Sequence, residues 1–309
     1  MAKAELLLQL SAGHDRLRRW LDHLSPDQVE ARGLVGDWSV KDILSHLTGH
    51  EQRLVILLNQ VRQSGLSGPI HLQESEDLNA EDIRKFQDQS YAAVSAGWEA
   101  SFQQVVQAVK TLPENRIQLD QTQPDALINT IRTYTVDHYE EHLGQILSLI
   151  LKERYTLQSV TDADWQAILE IADASAPRKK LENPAWLAQR KSFPADRYPR
   201  QQYQVIDSTG HPVAYGAVEG SENDWYRLFL VMKPELFDAG PADLLYDRLT
   251  MDLREAGAAG IWARESALDS ALLAWLNERG FSEYRRYSNE NGVEFIALRR
   301  PLPNTCFIS

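Results

Sequence analysis

Along the first half of the chain, apolar residues recur every three or four positions, and beyond about residue 156 the rhythm changes to short alternating runs. Leu6, Leu7, Leu10, Leu17, Trp20, Leu21 and Leu24 follow the helical period and predict a helix over Ala2 to Leu24. Ser25-Pro26 then offers a cap followed by proline at the first helical position, and Gly33 and Gly36 mark a turn. Ser39 is a good N-cap for a second helix that runs to about Ser64, with Asp42 facing the positive end of its dipole. Gly65 to Asn79 reads as a polar loop. A third helix fits about Ala80 to Leu112, stopped by Pro113, and a fourth fits about Pro124 to Arg154. Four long helices with one medium loop predict an antiparallel four-helix bundle.

The second half reads differently. Tyr155 to Val160 has the pattern of a strand, followed by an amphipathic helix over about Asp162 to Ala174. Pro177 to Pro199 is irregular. Strands are predicted at Tyr203 to Ile206, Val213 to Val218, Tyr226 to Met232 and Gly260 to Arg264, the first two joined by the turn sequence Asp207-Ser-Thr-Gly210. Gly240-Pro241 opens a helix that ends near Gly257, and Ala267 to Arg279 is a helix closed by Gly280. Two last strands flank Asn291-Gly292, a strong hairpin signal. The fold class is therefore multidomain α and α/β: a helical bundle over 1–154, a mixed-sheet domain over 155–301 and a tail over 302–309.

Composition adds exclusions. A chain of 309 residues exceeds a usual single domain, and 43% apolar with 25% charged residues excludes a disordered or fibrous chain. With 44 acidic and 32 basic residues the formal charge is −12, which argues against gripping a phosphate backbone. No apolar run approaches the ~18 residues of a membrane span. Met1 to Glu5 lacks the pattern of a signal peptide, and the only cysteine, Cys306, cannot form an internal disulfide. The expectation is a soluble, cytoplasmic protein acting on a small molecule, with neither nucleic acid nor membrane as partner. The oligomeric state stays open, with a homodimer as the candidate.

The candidate chemistry begins with histidines. His14, His23, His71 and His211 are scattered and read as solvated or structural. His138 and His142 are one turn apart in Val136-Asp-His-Tyr-Glu-Glu-His-Leu143, on one side of a helix. At about 100° per residue both fall in the arc of Leu127, Ile131, Tyr134, Ile146 and Leu149. Two imidazoles facing a core are costly unless satisfied, and a divalent cation satisfies them. The second helix offers His46 and His50. On the same wheel His50 lies within the arc of Ile43, Leu47 and Leu54 and His46 at its edge, which slightly favours His50. The competing reading is that the paired histidines hydrogen-bond to each other or to tyrosines. Glu51 also points toward the arc, either to orient a ligand histidine or act as base, or simply as an exposed helix carboxylate.

Two segments, Gly36-Asp-Trp-Ser-Val-Lys-Asp-Ile-Leu-Ser-His46-Leu-Thr-Gly49 and His138-Tyr-Glu-Glu-His142-Leu-Gly-Gln145, resemble the DinB-like superfamily of metal-binding four-helix bundles. The resemblance covers the first ~155 residues. It implies an open facial triad of His46, His138 and His142, with His50 left nearby as a proton carrier or outer partner. The implied cofactor is a divalent metal (zinc, nickel or iron) that activates water or a thiol and polarises an electrophile. Related families include thiol-dependent transferases and isomerases and small-molecule resistance proteins, so the substrate stays open.

From about Tyr155 to Arg299 the chain resembles the GNAT acyltransferase fold. The carrying stretches are Leu228 to Leu245 and Asp269 to Phe281, the second ending in Gly280-Phe281. The resemblance implies a strand, a loop and a helix N-terminus whose backbone N–H groups hold the pyrophosphate of acetyl-CoA. Met232, Phe237, Ala239, Gly240, Ala242 and Asp243 are the implied cofactor positions. Gly240 and Ala242 fit the family loop. Phe237 stands where arginine or glutamine is usual, Pro241 removes a donor, and Asp238 adds a negative charge. Leu276 occupies the place where a tyrosine often serves as acid, and Asp269 replaces a frequent asparagine. Three readings follow: acyl transfer from acetyl-CoA to an amine, metal-dependent hydrolysis or thiol transfer in the bundle, and a non-catalytic ligand-binding protein. Trp225, Tyr226 and Trp262 read as core or pocket walls, and Arg178 to Lys180 as solvated. No GxSxG, Walker or Rossmann pattern occurs.

Overall fold

The computed structural model describes residues 3–64, 75–117, 127–174, 200–232, 236–237, 239–290 and 292–302. His71, Pro124, the stretch from Pro177 to Pro199 with Arg178 to Lys180, Asp238, Asn291 and Cys306 lie outside the described residues, as does most of the predicted loop after Ser64.

The first half is helical: α1 (Lys3–Leu21), α2 (Pro26–Glu30), α3 (Val40–Ser64), α4 (Glu76–Phe86), α5 (Tyr91–Thr111), α6 (Glu114–Ile117), α7 (Leu127–Arg132), a π-helical turn (Thr133–Asp137) and α8 (His138–Leu151). Local capping sets the starts. Ser25 and Gln28 form a capping box at α2. At α3, Ser39 N–H donates to Asp42 Oδ2 at 2.9 Å and Asp42 N–H donates to Ser39 Oγ at 3.2 Å. Leu6, Leu10, Leu17, Ile43, Leu47, Leu54, Trp98, Val105, Ile131 and Ile146 are buried and form the apolar interior. Each stands on the inward stripe of its helix.

Two features depart from the sequence reading. The predicted third helix is two, because Gln87 to Gln89 carry nothing apolar to bury and Ser90 caps a new start, accepting from Ala93 N–H at 3.3 Å. The piece before the break, α4, begins earlier than expected, where Ser75 accepts from Leu78 N–H at 3.2 Å. In the fourth helix, the π-helical turn takes more residues per turn just before His138 and so shifts the phase of the faces that follow. A straight wheel therefore misplaces its neighbours: Tyr134 and Leu149 are half-buried, while Thr135, Val136, Asp137, Leu143 and Leu147 are buried.

The second half is a seven-stranded sheet: β1 (Tyr155–Ser159), β2 (Arg200–Asp207), β3 (Pro212–Glu222), β4 (Trp225–Met232), β5 (Gly260–Ser266), β6 (Ser282–Ser288) and β7 (Glu294–Pro301). Its helices are α9 (Trp165–Ala174), α10 (Pro241–Glu255) and α11 (Ser270–Glu278). Strand order is β1-β2-β3-β4-β5-β7-β6. All neighbours are antiparallel except β4 and β5. That parallel ladder pairs Trp225, Tyr226 and Arg227 with Gly260, Ile261 and Trp262 and, among the described residues, goes no further. Gly260 is needed there, since a Cβ would come within 2.5 Å of the Trp225 ring. Trp165, Ile168 and Ile171 of α9 pack on Tyr215, Ala217, Phe229 and Val231. Trp225, Tyr226 and Trp262 are half-buried. The predicted helix over 267–279 starts at Ser270 because Asp269 caps it, accepting from Leu272 N–H at 3.2 Å. Contacts divide the chain into two compact units between Ile146 and Leu147. No described helix is long and apolar enough to cross a membrane.

Candidate functional site

Helix α3 presents His46, and α8 presents His138 and His142 just after the π-helical turn. His46 Nε2 and His142 Nε2 each lie 3.0 Å from His138 Nε2, and one donor atom from each residue falls within 4.8 Å of the others. Hydrogen bonding alone does not account for this. His138 Nε2 carries either one proton or one lone pair, yet it faces two imidazole nitrogens at hydrogen-bond distance. One cation shared by three lone pairs satisfies all of them. With metal–nitrogen bonds of about 2.1 Å, ligands at right angles stand about 3.0 Å apart and tetrahedral ones about 3.4 Å. The observed 3.0 Å spacings match two pairs of ligands at right angles, with His138 common to both.

The protonation states suit the same role. Burial holds the His46 and His138 pKa values well below the usual 6.5, and brings His142 down to about 4. The rings are neutral near pH 7, as metal ligation requires. His142 Nδ1–H donates to Gln145 Oε1 at 2.7 Å, which leaves Nε2 as the lone pair facing the cluster.

His50 stands beside the triad, with its ring centroid 4.3 Å from that of His46 and 4.7 Å from that of His138. Its Nε2 is 3.5 Å from Asn79 Oδ1, and burial with the nearby Arg53 charge lowers its pKa to about 3. A second grouping, His46, His50 and Asp82, also lies within 4.8 Å. There the carboxylate is already engaged, because Arg53 Nη1 donates to both Asp82 oxygens at 2.9 and 2.8 Å. A cation at that spot would face the Arg53 charge. The His46, His138 and His142 set includes no carboxylate engaged in this way, although the Arg53 charge is also felt at His46 and His138.

Glu51 is not an exposed carboxylate. It is 0% accessible, and it accepts Trp98 Nε1–H at 3.1 Å together with the hydroxyls of Ser101 and Tyr139. Burial pushes its pKa up to about 8. It does not line the cavity beside the triad. Nor is His14 solvated: it is buried and stacked on Phe102, with ring centroids 3.8 Å apart.

That cavity measures about 650 Å³ and takes in His46, His50, His138, His142, Trp38 and Gln145. One wall is α4, whose Glu76, Asn79, Ala80, Ile83 and Arg84 face it at helical spacing. Sequence reasoning missed this wall because it read the segment up to Asn79 as loop. Ser75 followed by Glu76 and Asp77 is the cap-and-acid signal that could have found it.

In the sheet half, Met232 is buried at the end of β4, and Phe237 and Ala239 are half-buried beyond it. Gly240 caps α10 with φ +100°, a left-handed conformation that glycine accepts without a Cβ clash. Pro241 and buried Ala242 follow, and Leu244 N–H closes the first turn on Gly240 O at 3.0 Å. The Asp243 side chain is committed elsewhere: it is 3% exposed and paired with the Arg279 guanidinium. Arg279 also donates to Trp275 O at 2.8 Å and lies 3.4 Å from the Trp275 ring centroid. Only the backbone of Asp243 is left to face a ligand. Leu276 is buried in α11.

Residues 10–139 match the family described as the mycothiol maleylpyruvate isomerase N-terminal domain, a span that holds His46 and His138 and stops before His142. No curated protein matches the chain. Among solved structures, the ribosomal-protein-S18-alanine N-acetyltransferase from Escherichia coli is 22% identical, with TM-score 0.40, over 48% of this chain and 93% of its own. A phosphinothricin acetyltransferase from Sinorhizobium meliloti, solved with AcCoA, is 16% identical, with TM-score 0.41, over 50% of this chain and 91% of its own. A GCN5-related N-acetyltransferase from Kribbella flavida is 15% identical, with TM-score 0.40, over 49% and 99%. Residues 10–139 are thus similar to the mycothiol maleylpyruvate isomerase N-terminal domain, and the mixed-sheet half is similar to N-acetyltransferases over about half of the chain.

Proposed function

We propose that the helical half is a divalent-metal centre that processes a small molecule held in the adjoining cavity, with a thiol as the activated nucleophile. The observation that carries this reading is the convergence of three neutral, buried imidazole nitrogens, two at 3.0 Å from the third. His46, His138 and His142 would hold the ion, with Gln145 fixing the tautomer of His142. The bound metal would act as a Lewis acid and lower the pKa of the nucleophile. His50, kept neutral by burial and by Arg53, lines the cavity beside the triad, with its Nε2 3.5 Å from Asn79 Oδ1. Trp38 and Ile83 supply apolar surface that excludes water, and Asn79 offers a polar contact for orientation. A thiol is preferred to water because the matching family is described by a thiol-using isomerase. The acidic composition argues against nucleic acid partners.

Metal analysis of the purified protein tests the reading. The wild type should carry about one ion per chain, and His142→Ala should lose metal and activity together; full metal content in that variant overturns the assignment. Titrating cobalt-loaded protein with N-acetylcysteine should produce a sulfur-to-metal absorption band. An unchanged spectrum removes the thiol and leaves water as nucleophile.

A second reading, acyl transfer from acetyl-CoA to an amine in the sheet half, is favoured by one feature. The β4–β5 ladder stops after three rungs, and the chain after β4 leads to the Gly240 cap of α10. Calorimetric titration with acetyl-CoA decides it, since no heat at millimolar ligand would rule it out.

A further inference from the structure

We propose that Glu51 is a positioning residue, which holds the two ligand-bearing helices at the spacing the metal needs by anchoring Tyr139. This rests on the metal-centre reading above. Glu51 lies on α3, the helix of His46, and Tyr139 follows His138 directly on α8. The Tyr139 hydroxyl donates to Glu51 Oε1, so one hydrogen bond spans the same two helices as the triad. A third helix clamps the carboxyl group from α5, through Trp98 Nε1–H at 3.1 Å on Oε1 and the Ser101 hydroxyl on Oε2.

The surroundings leave this contact little freedom. Glu51 and Tyr139 are 0% and 1% exposed, so neither group can exchange its partner for solvent. The Tyr139 ring meets Trp98 edge-on, with centroids 6.0 Å apart, and Phe102 with centroids 6.4 Å apart. His14 of α1 fills the remaining side, stacked 3.8 Å from Phe102 and 6.1 Å from Tyr139. With three donors on it, the buried carboxyl group is fully engaged and gives Tyr139 a fixed anchor. Its position makes sense as a tie. Rotation of α8 about its axis would move His138 and His142 away from His46, and the Tyr139 bond resists that rotation. Metal sites tolerate ligand displacements of only about 0.2 Å, and outer partners are typically worth 10–100-fold in affinity.

The test uses full-length protein, zinc affinity measured by competition with a chromophoric chelator, and thermal unfolding of the metal-free protein. Tyr139→Phe and Glu51→Leu should bind zinc about 10–100-fold more weakly. Glu51→Gln should restore affinity to within a few-fold, because its carbonyl still accepts from Tyr139 and Trp98 and its amide can donate to Ser101. Glu51→Leu leaves the buried Trp98, Ser101 and Tyr139 donors without their acceptor, so its metal-free protein should be less stable than that of Tyr139→Phe. A merely structural role predicts unchanged zinc affinity wherever metal-free stability is unchanged. Wild-type affinity in both Tyr139→Phe and Glu51→Leu overturns the proposal, while His138→Ala, losing zinc in parallel, keeps the metal centre standing. Should Glu51→Leu fail to fold, Tyr139→Phe, which lacks a single hydroxyl, decides alone. If the wild type takes up neither zinc, nickel nor iron, the metal centre and this proposal fall together.

Discussion

The helical half and the sheet half both bury charged and polar groups near a site that sequence resemblance singled out, but they dispose of them in opposite ways. In the bundle, the Nε2 atoms of His46 and His142 both turn toward the single Nε2 of His138 at 3.0 Å. At the start of α10, the Asp243 carboxylate is consumed internally by Arg279, which is itself fixed by Trp275. On the metal-centre reading the first arrangement takes up a cation, whereas in the second the carboxylate is already paired within the chain. Burial of polar side chains is common to both, so burial does not separate a binding site from a structural brace. What separates them is whether the lone pairs and protons balance within the chain.

The sharpest way to break this comparison is to remove one partner on each side. His138→Ala or His142→Ala should cost more than about 100-fold in zinc affinity, since even outer partners are worth 10–100-fold. His50→Gln should stay within a few-fold of wild type, measured by the same chelator competition. If His50→Gln lost zinc as fully as His142→Ala, the ligand set would have to be redrawn. On the other side, Arg279→Met should destabilise the protein by ~3–5 kcal/mol in urea unfolding, because it leaves the Asp243 carboxylate buried and alone. Adding Asp243→Leu should recover most of that loss. Acetyl-CoA affinity lost by Arg279→Met without loss of stability would show the pair serving a ligand after all.

Smaller effects come from pH. The Glu51 pKa is raised from 4.5 to about 8, so its contribution to stability is fully present below 4.5 and is lost as pH rises toward 8. Glu51→Gln should flatten that limb in metal-free unfolding curves measured between those values. The histidines act in the opposite sense. His14 and His142, lowered from 6.5 to about 4, contribute stability that is present above 6.5 and is lost as pH falls to about 4. For the same reason zinc affinity should change little from neutral pH down to about 5 and fall only below it, whereas unperturbed imidazoles would begin to lose zinc near 6.5. A steep loss starting near 6.5 would place the triad in solvent and erase the contrast with the sheet half.

Much of the fold was legible because its signals are local. Helix α3 begins at the Ser39 cap and ends at Ser64 as its pattern predicts, and Gly240-Pro241 opens α10. The errors arose where a local pattern was interrupted. The capped break before Ser90 was overrun, and the π-helical turn shifted the phase of the helix wheel, so that Tyr134 was placed in the core and Asp137 was not. The wheel's slight preference for His50 over His46 is of another kind. Both are buried on α3, with the His46 and His50 ring centroids 4.9 and 4.7 Å from that of His138 on α8, and periodicity does not register which nitrogen is aimed at it.

By itself, then, the sequence determined which side chains face the interior of each element, where most elements start and stop, and that two histidines one turn apart share a helix face. These follow from backbone dihedral preferences and from hydrophobic period, which act over a few residues. The tertiary structure alone decided that His46 meets His138 across 92 residues of chain, that Glu51 finds Tyr139 and Trp98, that α4 walls the cavity, and that Asp243 turns to Arg279. Those contacts depend on the separation and rotation of packed elements, which the close packing of many distant side chains sets together.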